Sequence, residues 1–467
     1  MNNAATPGAS YHLVGIGGIG MSAIARLLLA RGARVSGSDV YRSELVATLE
    51  GEGASIAIGH RAENVGTPDL VIVSSAIAHD NPEFTAALER GIDIKTRGAM
   101  LAELTGSRKT IAIAGTHGKT TTTAMTAAIL ELGGLDPTYA IGGLRVDTGT
   151  NAAAGAGAWF VTESDESDGS FLHLQPTVAV VTNVENDHLS SDDELPGLLE
   201  QFATFVQRVP PDGGAIIGLD NRGSAFIAKN ANVPKTTFAT RTEADLTARD
   251  ITYDGLGSRF MLIERASALG EVRLRVPGEI NVQNALAAIA VARLLKVDFP
   301  TLAAALADFR GVQRRFEVVG EGGGVTVVDD YAHHPTAIAQ TIAAARGYTD
   351  KPIVVAFQPH RFSRTRYLAA DFAIALANAD AVVLAPIYAA SEAPIEGVSE
   401  RSIGVPLAHA GTPVTYVASV EDLLEAIPRT IAATGGGDAV VLMLGAGSIS
   451  GVAHRLGAAL EAPAAAR

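Results

Sequence analysis

The sequence contains no cysteine among its 467 residues, which excludes disulfide bonds, thiolate metal ligands and thiol nucleophiles. Basic residues number 36 against 50 acidic ones, and the net charge of −14 with no basic stripe argues against nucleic acid as a partner. Long apolar runs are also absent, because charges such as Arg293 and Lys296 interrupt them, so no membrane span is predicted. The start, from Met1 to Tyr11, lacks the pattern of a targeting segment. We therefore expect a cytoplasmic protein, monomeric or homodimeric, that acts on small molecules.

The chain alternates short β-branched runs with amphipathic stretches, which predicts an α/β fold with doubly wound parallel sheets. Its length predicts two or three domains, with boundaries near 106–109 and 310–315. Antiparallel strands are expected between residues 216 and 276, with turns at Asp254-Gly255 and Leu269-Gly270. The other predicted strands are 11–15, 34–37, 69–74, 109–115, 159–163, 177–183, 325–330, 352–358, 381–386 and 439–444, and predicted helices include 21–33 and 82–91.

The run Gly115-Thr-His-Gly-Lys-Thr120 joins a predicted strand to a predicted helix and has the residues of a phosphate loop. Glycines let backbone N–H groups approach phosphates, the helix N-terminus adds positive potential, and Lys119 supplies a cation. A hydroxyl group of Thr120 or Thr121 would hold Mg²⁺. Because Ile113 occupies the first glycine position of the eight-residue consensus, a glycine-capped structural turn is the alternative to nucleotide binding.

A second glycine-rich run, Gly15-Ile-Gly-Gly-Ile-Gly20, follows the first predicted strand, and Asp39 ends the next one. This pattern is typical of NAD sites, but such a loop presents amides to any diphosphate, including that of a UDP-sugar. The alternative is that the glycines only permit close packing of strand and helix. Two phosphate loops in one chain favour a ligase or transferase that joins a nucleotide-linked substrate to ATP chemistry.

Acidic residues and a histidine follow two further predicted strands. Glu163 ends one strand, and His188 closes the stretch Asn183-Val-Glu-Asn-Asp-His188 after the other. A carboxylate at a strand end that faces a phosphate loop is a usual Mg²⁺ ligand. A solvated acidic loop is the alternative, and we prefer it for Asp192, Asp193 and Glu194.

Taken in order, these stretches closely resemble the Mur ligase family. The matching segments are GIGGIGMSAIA, AGTHGKTTTTAM, ESDESDGSFLHLQP, VTNVENDH, NVQNALAA, RRFE, DDYAHHPT, FQPHRFSRT and, near the end, GAGSI. The resemblance implies three domains: a Rossmann-like UDP-sugar domain at 1–107, a central P-loop ATPase-type domain at 108–312 and a Rossmann-like amino-acid domain at 313–467.

The resemblance also implies a reaction in peptidoglycan precursor synthesis. ATP, with Mg²⁺, would phosphorylate the lactyl carboxylate of UDP-N-acetylmuramate, and the amine of L-alanine would attack the acyl phosphate. The FQPHRFSRT stretch favours the alanine-adding branch, as does the lack of any lysine between Lys119 and Lys229. Another Mur-type ligase, using a different amino acid or a murein tripeptide, is the nearest alternative. An NAD-dependent oxidoreductase and a nucleotide-binding module without turnover are alternatives of other classes.

Carried over residue by residue, the resemblance implies four groups of site residues. The ATP group is Gly115, Thr116, His117, Gly118, Lys119, Thr120, Thr121, Asn281, Asn284 and Arg315. The UDP-sugar group is Gly15, Gly17, Gly18, Ile19, Gly20, Ser38, Asp39, Ser74, Ser75, Glu166, Ser167 and Tyr331. The amino-acid group is His333, His360, Arg361 and Arg364, and the metal group is Thr120, Glu163 and His188. Lys119, His188, Arg315, His333 and Arg364 are the expected catalytic residues.

Several of these positions keep a structural alternative or depart from the family. Asn284 could cap a helix, and Arg314 or Arg315 could form a salt bridge at the domain boundary rather than reach the γ-phosphate. The family's histidine before Asn281 is replaced by Ile280. Ser190, Ser191 and Ser391 also stand where the family commonly has other residues, glycine in the last case.

Overall fold

Three β-sheets follow one another along the chain in the computed structural model, which describes residues 7–74, 76–106, 108–164, 169–185 and 194–461. The expected site residues Ser75, Glu166, Ser167 and His188 lie outside the described residues. Within them, no helix is both long and apolar enough to cross a lipid bilayer.

The first sheet is entirely parallel, with strand order β3-β2-β1-β4-β5. Its strands are β1 Ser10–Val14, β2 Arg34–Asp39, β3 Ser55–Ile58, β4 Leu70–Val73 and β5 Ile94–Thr96, and its helices are α1 Ile19–Ala30, α2 Glu44–Gly51, α3 Pro82–Glu89 and α4 Arg97–Thr105, with a 3-10 helix at Ala62–Val65. The predicted helix 21–33 ends early, because the N–H groups of Gly32 and Ala33 bond to the carbonyls of Leu29 and Leu28 and close the last turn.

The central sheet has ten strands in the order β15-β14-β13-β12-β11-β10-β6-β9-β7-β8. They are β6 Lys109–Ala114, β7 Thr138–Ala140, β8 Ala152–Ala153, β9 Trp159–Glu163, β10 Val178–Val181, β11 Gly214–Gly218, β12 Lys235–Ala239, β13 Leu246–Asp254, β14 Gly257–Glu264 and β15 Ser267–Leu274. The helices are α5 Lys119–Leu132, α6 Leu195–Gln207, α7 Arg222–Asn230, α8 Glu279–Leu294 and α9 Phe299–Asp308, with a 3-10 helix at Ser170–His173. The pairs of β13 with β14 and of β14 with β15 are antiparallel, as expected. The expectation is wrong for β11 and β12, which pair in parallel with each other because α7 connects them as a crossover, and β12 also pairs in parallel with β13.

One of the two predicted turns in this antiparallel region is wrong. The chain does turn after Asp254, but Leu269 and Gly270 lie inside β15, and the second turn falls at Arg265–Ala266 instead. Gly270 has φ +152°, and a Cβ there would lie 2.4 Å from the Phe299 ring. The glycine therefore marks an irregular strand position and a close approach of α9, not a chain reversal.

The third sheet has the order β16-β17-β21-β18-β19-β20, and only β16 is antiparallel to its neighbour. Its strands are β16 Glu317–Gly322, β17 Val325–Asp330, β18 Ile353–Phe357, β19 Ala381–Leu384, β20 Val414–Tyr416 and β21 Ala439–Leu444. The helices are α10 Pro335–Tyr348, α11 Phe362–Leu376, α12 Arg401–His409, α13 Leu423–Ala433 and α14 Ile449–Glu461. The predicted three-part α/β architecture is confirmed.

The first two sheets meet at a buried asparagine. Asn151 has no exposed surface, and its Nδ2 donates to Ile19 O (2.7 Å) and to Ser22 Oγ (3.0 Å) of α1. Arg26 of α1 donates in return to Asn151 Oδ1. Apolar residues from both sides, such as Leu13 and Phe160, belong to one buried cluster. The first sheet is thus attached to the central one by a packed, hydrogen-bonded contact.

Candidate active site

The phosphate loop, residues 115–120, connects β6 to α5 as predicted. Gly115 and Gly118 have φ +133° and +84°, and Cβ atoms there would lie 2.1 Å from Thr182 Oγ1 and 2.2 Å from Asn284 Oδ1. Both glycines are therefore required by backbone conformation and by space. Lys119 begins α5, and its Nζ donates to the Gly115 carbonyl oxygen at 2.6 Å, so the amine lies over the loop.

The loop is attached to the end of β10 by two residues. Asn183 Oδ1 accepts from the His117 N–H (2.8 Å), and the Asn183 carbonyl accepts from the Thr116 N–H (3.0 Å). The Thr182 hydroxyl donates to the His117 carbonyl at 2.7 Å. These bonds constrain the backbone of the loop from the side of β10.

Three polar side chains meet at the start of α5. The Thr120 hydroxyl donates to Glu163 Oε2 at 2.8 Å, and Arg315 Nη2 lies 3.4 Å from the same hydroxyl. Burial raises the pKa of Glu163, while hydrogen bonds from Thr120 and from the Gly142 N–H and the charges of Lys119 and Arg315 act in the opposite direction. A carboxylate and a hydroxyl at one point suit a hard oxygen-seeking cation, so Thr120 and Glu163 fit the predicted Mg²⁺.

The two asparagines of α8 lie against this loop. Asn284 is buried, its Oδ1 accepts from the Thr122 hydroxyl (3.3 Å), and its Nδ2 donates to Asn281 Oδ1 (3.2 Å). Asn281 in turn donates to the Pro277 carbonyl at 2.7 Å. The cap of α8 is Gly278, so the alternative that Asn284 caps a helix is wrong. Because Asn284 is buried, its amide group needs partners inside the protein, and it bonds to Thr122 of α5 and to Asn281 of its own helix.

The first glycine loop lies at the carboxyl edge of the first sheet. Asp39 Oδ2 accepts from the Gly17 N–H at 2.9 Å, and its Oδ1 accepts from the Val40 N–H at 2.7 Å. A Cβ at Gly15 would lie 3.5 Å from the Cβ of Ser74, which follows β4, and Gly18 and Ile19 are exposed. The structure therefore brings together Gly15, Gly17, Gly18, Ile19, Gly20, Asp39 and Ser74 of the expected UDP-sugar group. Tyr331 of that group lies far along the chain, after β17 in the third sheet.

Ser38 differs from the rest of that group, because its side chain faces the protein interior. The hydroxyl has no exposed surface and donates to Glu83 Oε2 of α3. His12 Nε2 (3.1 Å) and Asn64 Nδ2 (2.6 Å) also bond to this fully buried carboxylate. Burial would raise the pKa of Glu83, but hydrogen bonds from His12, Ser38, Asn64 and the Arg61 N–H lower it to about 2. A direct side-chain contact between Ser38 and a ligand does not fit this position.

Tyr331 lies between Arg314 and Arg315, the two arginines at the end of the boundary segment 310–315. The Cζ atoms of Arg314 and Arg315 lie 5.0 Å and 4.9 Å from the centre of its ring. Arg314 Nη2 donates to the Gly445 carbonyl (2.9 Å) and its Nε lies 3.8 Å from Asp329 Oδ2, so the salt-bridge alternative describes Arg314. Arg315 instead extends to the hydroxyl of Thr120 at the start of α5.

Asp330, which was not among the predicted site residues, binds the backbone on both sides of this cluster. Its Oδ2 accepts from the Phe316 N–H (2.8 Å) and its Oδ1 from the Ala332 N–H (2.7 Å). Burial raises its pKa, and the charge of Arg315 is the largest opposing influence. Asp330 therefore ties the turn that carries Arg315 to the turn that carries Tyr331. The adjacent acids at a strand end were the available signal, but nothing local distinguished Asp330 from Asp329.

The expected amino-acid group forms a row of rings. His333 lies edge-on to Tyr331 (4.9 Å between ring centres) and to His360 (5.7 Å), and His360 stacks on Tyr388 (5.7 Å). His333 Nδ1 is 2.8 Å from the Tyr331 carbonyl oxygen, which can only accept, so Nδ1 carries the proton. In neutral His333 the Nε2 atom is then the acceptor. Arg361 and Arg364 lie at the start of α11, and Tyr388 was not predicted.

A second contact joins the phosphate loop to the third sheet. His117 Nε2 lies 3.5 Å from Glu185 Oε2, and its ring centre is 5.6 Å from that of His334, which precedes α10. Burial raises the pKa of Glu185, but the hydrogen bond and charge of His117, with Thr336 and His334, bring it below its usual value. The His117 side chain thus faces the boundary between the two parts.

Comparisons with known proteins agree with this architecture. Three family models match in order: "Mur ligase family, catalytic domain" at residues 10–109, "Mur ligase middle domain" at 113–292 and "Mur ligase, glutamate ligase domain" at 314–447. The UDP-N-acetylmuramate–L-alanine ligase of Geotalea uraniireducens is 47% identical over 95% of this chain and 96% of its own length. The ligase of the same name from Acidithiobacillus ferrooxidans is 48% identical over equal shares.

Solved structures give the same result. The crystal structure of the UDP-N-acetylmuramate–alanine ligase of Thermotoga maritima is 30% identical, with a TM-score of 0.82, over 96% of this chain and 98% of that one. A murein peptide ligase from Psychrobacter arcticus is 28% identical, with a TM-score of 0.71, over 97% and 99%. Because the three models and the full-length relatives follow the same order as the three sheets, the chain belongs to the Mur ligase family.

Proposed function

We propose that this protein is the ATP-dependent ligase that joins L-alanine to UDP-N-acetylmuramate in peptidoglycan precursor synthesis. The full-length relatives that carry this name support the assignment. The observation that carries it is the meeting of Thr120, Glu163 and Arg315 at the phosphate loop, because the arginine comes from the part that also holds the expected amino-acid residues. An NAD-dependent oxidoreductase is not supported, because the chain belongs to the Mur ligase family.

We propose that the three domains bind the three substrates in the way that the resemblance implies. Residues 1–107 bind the UDP-sugar through Gly15, Gly17, Gly18, Ile19, Gly20, Asp39 and Ser74, with Ser75, Glu166, Ser167 and Tyr331. Residues 108–312 bind ATP through the phosphate loop, Thr121, Asn281 and Asn284. Residues 313–467 bind the amino acid through His333, His360, Arg361 and Arg364. The exposed glycine loop beside Asp39 supports the first assignment.

In the first step a carboxylate oxygen of the sugar forms a bond to the γ-phosphorus of ATP as the bond to the leaving ADP oxygen breaks. Lys119, the N-terminus of α5 and Arg315 stabilise the charge on the transferring phosphoryl group. Thr120 and Glu163, with His188, would hold Mg²⁺, which when bound neutralises phosphate oxygens. Gly115 and Gly118 allow the loop to pack against Thr182 and Asn284 in a conformation that can present its N–H groups to phosphates.

In the second step the nitrogen of L-alanine attacks the acyl carbon and inorganic phosphate leaves. The ammonium group must first lose a proton, and neutral His333, with its proton on Nδ1, can accept it at Nε2. Arg361 and Arg364 are suited to the carboxylate of the amino acid, because a guanidinium group grips two oxygens at once.

Phosphate release tests the assignment directly. The protein is incubated with UDP-N-acetylmuramate, MgATP and single amino acids, and we expect L-alanine to give the fastest release. Release no faster with L-alanine than with other amino acids would contradict the proposal, and fastest turnover with a murein tripeptide would favour the function named for the Psychrobacter relative. Lys119→Ala should abolish turnover with the fold retained, whereas the exposed Lys229→Ala on α7 should not.

The amino-acid assignment has its own test. Arg364→Ala should raise the KM for L-alanine more than the KM for ATP, and equal effects on both would count against the placement of Arg364. We also propose that the protein acts in the cytoplasm, where its nucleotide substrates are made. Light scattering would distinguish the proposed monomer from the homodimer.

A further inference from the structure

The turn formed by residues 388–392 has an unfavourable backbone. Ala390 and Ser391 have φ +48° and +69°, the left-handed region that residues other than glycine rarely adopt. Two such residues in succession also form the hairpin turn at Arg265–Ala266, where the paired strands β14 and β15 hold them. The turn at Ala390–Ser391 joins no such pair of strands, so other contacts must impose it. The turn lies beside His360, because Tyr388 stacks on that ring.

The contacts that impose this turn lead to the start of α11. The Arg361 N–H donates to the Tyr388 carbonyl and the Tyr388 N–H to the Pro359 carbonyl, each at 2.8 Å. At the end of the turn, Glu392 Oε2 accepts from the Ser363 N–H (3.0 Å) and Oε1 accepts from the Ser363 hydroxyl (2.6 Å). The strained turn therefore brings one carboxylate onto the first turn of α11.

Helix α11 has no cap of its own. Its N-cap residue is Arg361, which has φ +70° and makes no side-chain capping bond. The first N–H groups of a helix lack partners within the helix, and a carboxylate there also interacts favourably with the helix dipole. Burial acts to raise the pKa of Glu392, but the bonds from Ser363 and the charge of Arg361 bring it below its usual value, so the group is ionised. Glu392 therefore provides, from a turn distant in sequence, the capping bonds to α11 that the Arg361 side chain does not make.

We propose that Glu392 is a positioning residue for amino-acid binding: it fixes the first turn of α11 so that Arg361 and Arg364 are presented together to the substrate carboxylate. This inference rests on the proposed function, which assigns those arginines to the amino acid. Glu392 touches no substrate itself. Ala390 and Ser391 immediately precede Glu392 in the turn that brings its carboxylate to Ser363.

The test compares Glu392→Ala and Glu392→Gln with Asp298→Ala in the full-length protein. Asp298 caps α9 in the central part by accepting from the Thr301 N–H (2.9 Å), so its loss removes an equivalent cap elsewhere. We expect Glu392→Ala to raise the KM for L-alanine about tenfold with the KM for ATP unchanged, since small displacements of binding groups are costly. Glu392→Gln keeps an acceptor for Ser363 and should restore most of the loss. Asp298→Ala should lower Tm similarly and change neither KM.

If Glu392→Ala lowers Tm but leaves the KM for L-alanine unchanged, or shifts both KM values equally, then Glu392 caps α11 and has no role in amino-acid binding. Failure of Glu392→Gln to recover the KM would also overturn the proposal. The wild-type protein in the same assay tests the proposed function separately. If it prefers another amino acid, that amino acid becomes the probe, and the ratio between variants still decides the role of Glu392.

Discussion

Arg315 Nη2 lies 3.4 Å from the hydroxyl of Thr120, although 195 positions separate the two residues along the chain. The same hydroxyl donates to Glu163, so one threonine connects the phosphate loop, β9 and the segment that leads into the third sheet. The position of Arg315 is itself imposed, because Asp330 binds the Phe316 N–H and Tyr331 packs against the guanidinium group. In the proposed function, an arginine held in this way would meet the transferring phosphoryl group without reorganisation.

Arg315→Ala should lower kcat by about 10³-fold with a small change in the KM for ATP, because an arginine of this kind acts on charge in the transition state. Arg315→Lys should recover only part of the rate, since an ammonium group cannot make the paired hydrogen bonds of a planar guanidinium group. Steady-state phosphate release measures both. Arg310→Ala, an exposed arginine of the same segment, is the control, and equal rates for all variants would contradict the role of Arg315.

Glu163→Gln should raise the Tm of the metal-free protein at pH 8 while abolishing turnover. Because burial raises the pKa of Glu163, the folded protein binds this proton more tightly than the unfolded chain, whose reference value is 4.5. Ionisation therefore costs stability as pH rises from about that value through the folded pKa, and the amide avoids this cost.

Added Mg²⁺ should raise the Tm of the wild-type protein and leave that of Glu163→Gln unchanged, because binding to the folded state alone stabilises it. Differential scanning calorimetry measures both effects. Glu200→Gln, an exposed change on α6, should behave as wild type throughout. A Mg²⁺-dependent rise in the Tm of Glu163→Gln would place the ion elsewhere.

Glu83→Gln should destabilise the first sheet and its helices at pH 7. The pKa of Glu83 is about 2 in the folded protein against 4.5 for the free group. The stability gained from ionisation is thus complete above the unfolded value and is lost as pH falls through the folded one. At about 1.4 kcal/mol per pKa unit, Glu83→Gln should lower the free energy of unfolding at pH 7 by on the order of 3 kcal/mol. The carboxylate is buried, so solvent does not screen its interactions.

Urea unfolding at pH 7 and at lower pH measures this effect, and the difference from wild type should shrink below about pH 4.5. Glu89→Gln at the exposed end of the same helix is the matched control. An equal effect of Glu83→Gln at both pH values would mean that the buried network is held by shape rather than by charge.

Ser391→Gly should increase the free energy of unfolding by up to about 1 kcal/mol, because glycine adopts φ +69° without the penalty that serine incurs. The KM for L-alanine should not change, since Glu392 keeps its bonds. Gly397→Ala is the reciprocal control, because Gly397 has φ +76° in open space and alanine there adds only backbone strain. A lower Tm for Ser391→Gly would mean that the serine is not strained.

The fold class and the loops were predictable because their causes are local. Strand 325–330 is a run of β-branched residues ending in acids, and its bounds agree with β17. The phosphate loop needs glycines, a following helix and a lysine, all within residues 115–120. Gly270 misled the prediction, since nothing in the neighbouring sequence reveals that Phe299 packs on it. Ser38 and Glu83 could not be assigned to the interior for the same reason: their partners come from other elements.

The sequence by itself determined the α/β class, the two glycine loops, the carboxylate at the end of β9 and the histidines and arginines at the ends of β17 and β18. Each depends on residue type and spacing within a few positions. Only the tertiary structure distinguished Arg315 from Arg314, gave Asp330 its role and placed Glu392 at the start of α11. These depend on contacts between segments distant in sequence, and such contacts exist only once the three sheets have packed into one molecule.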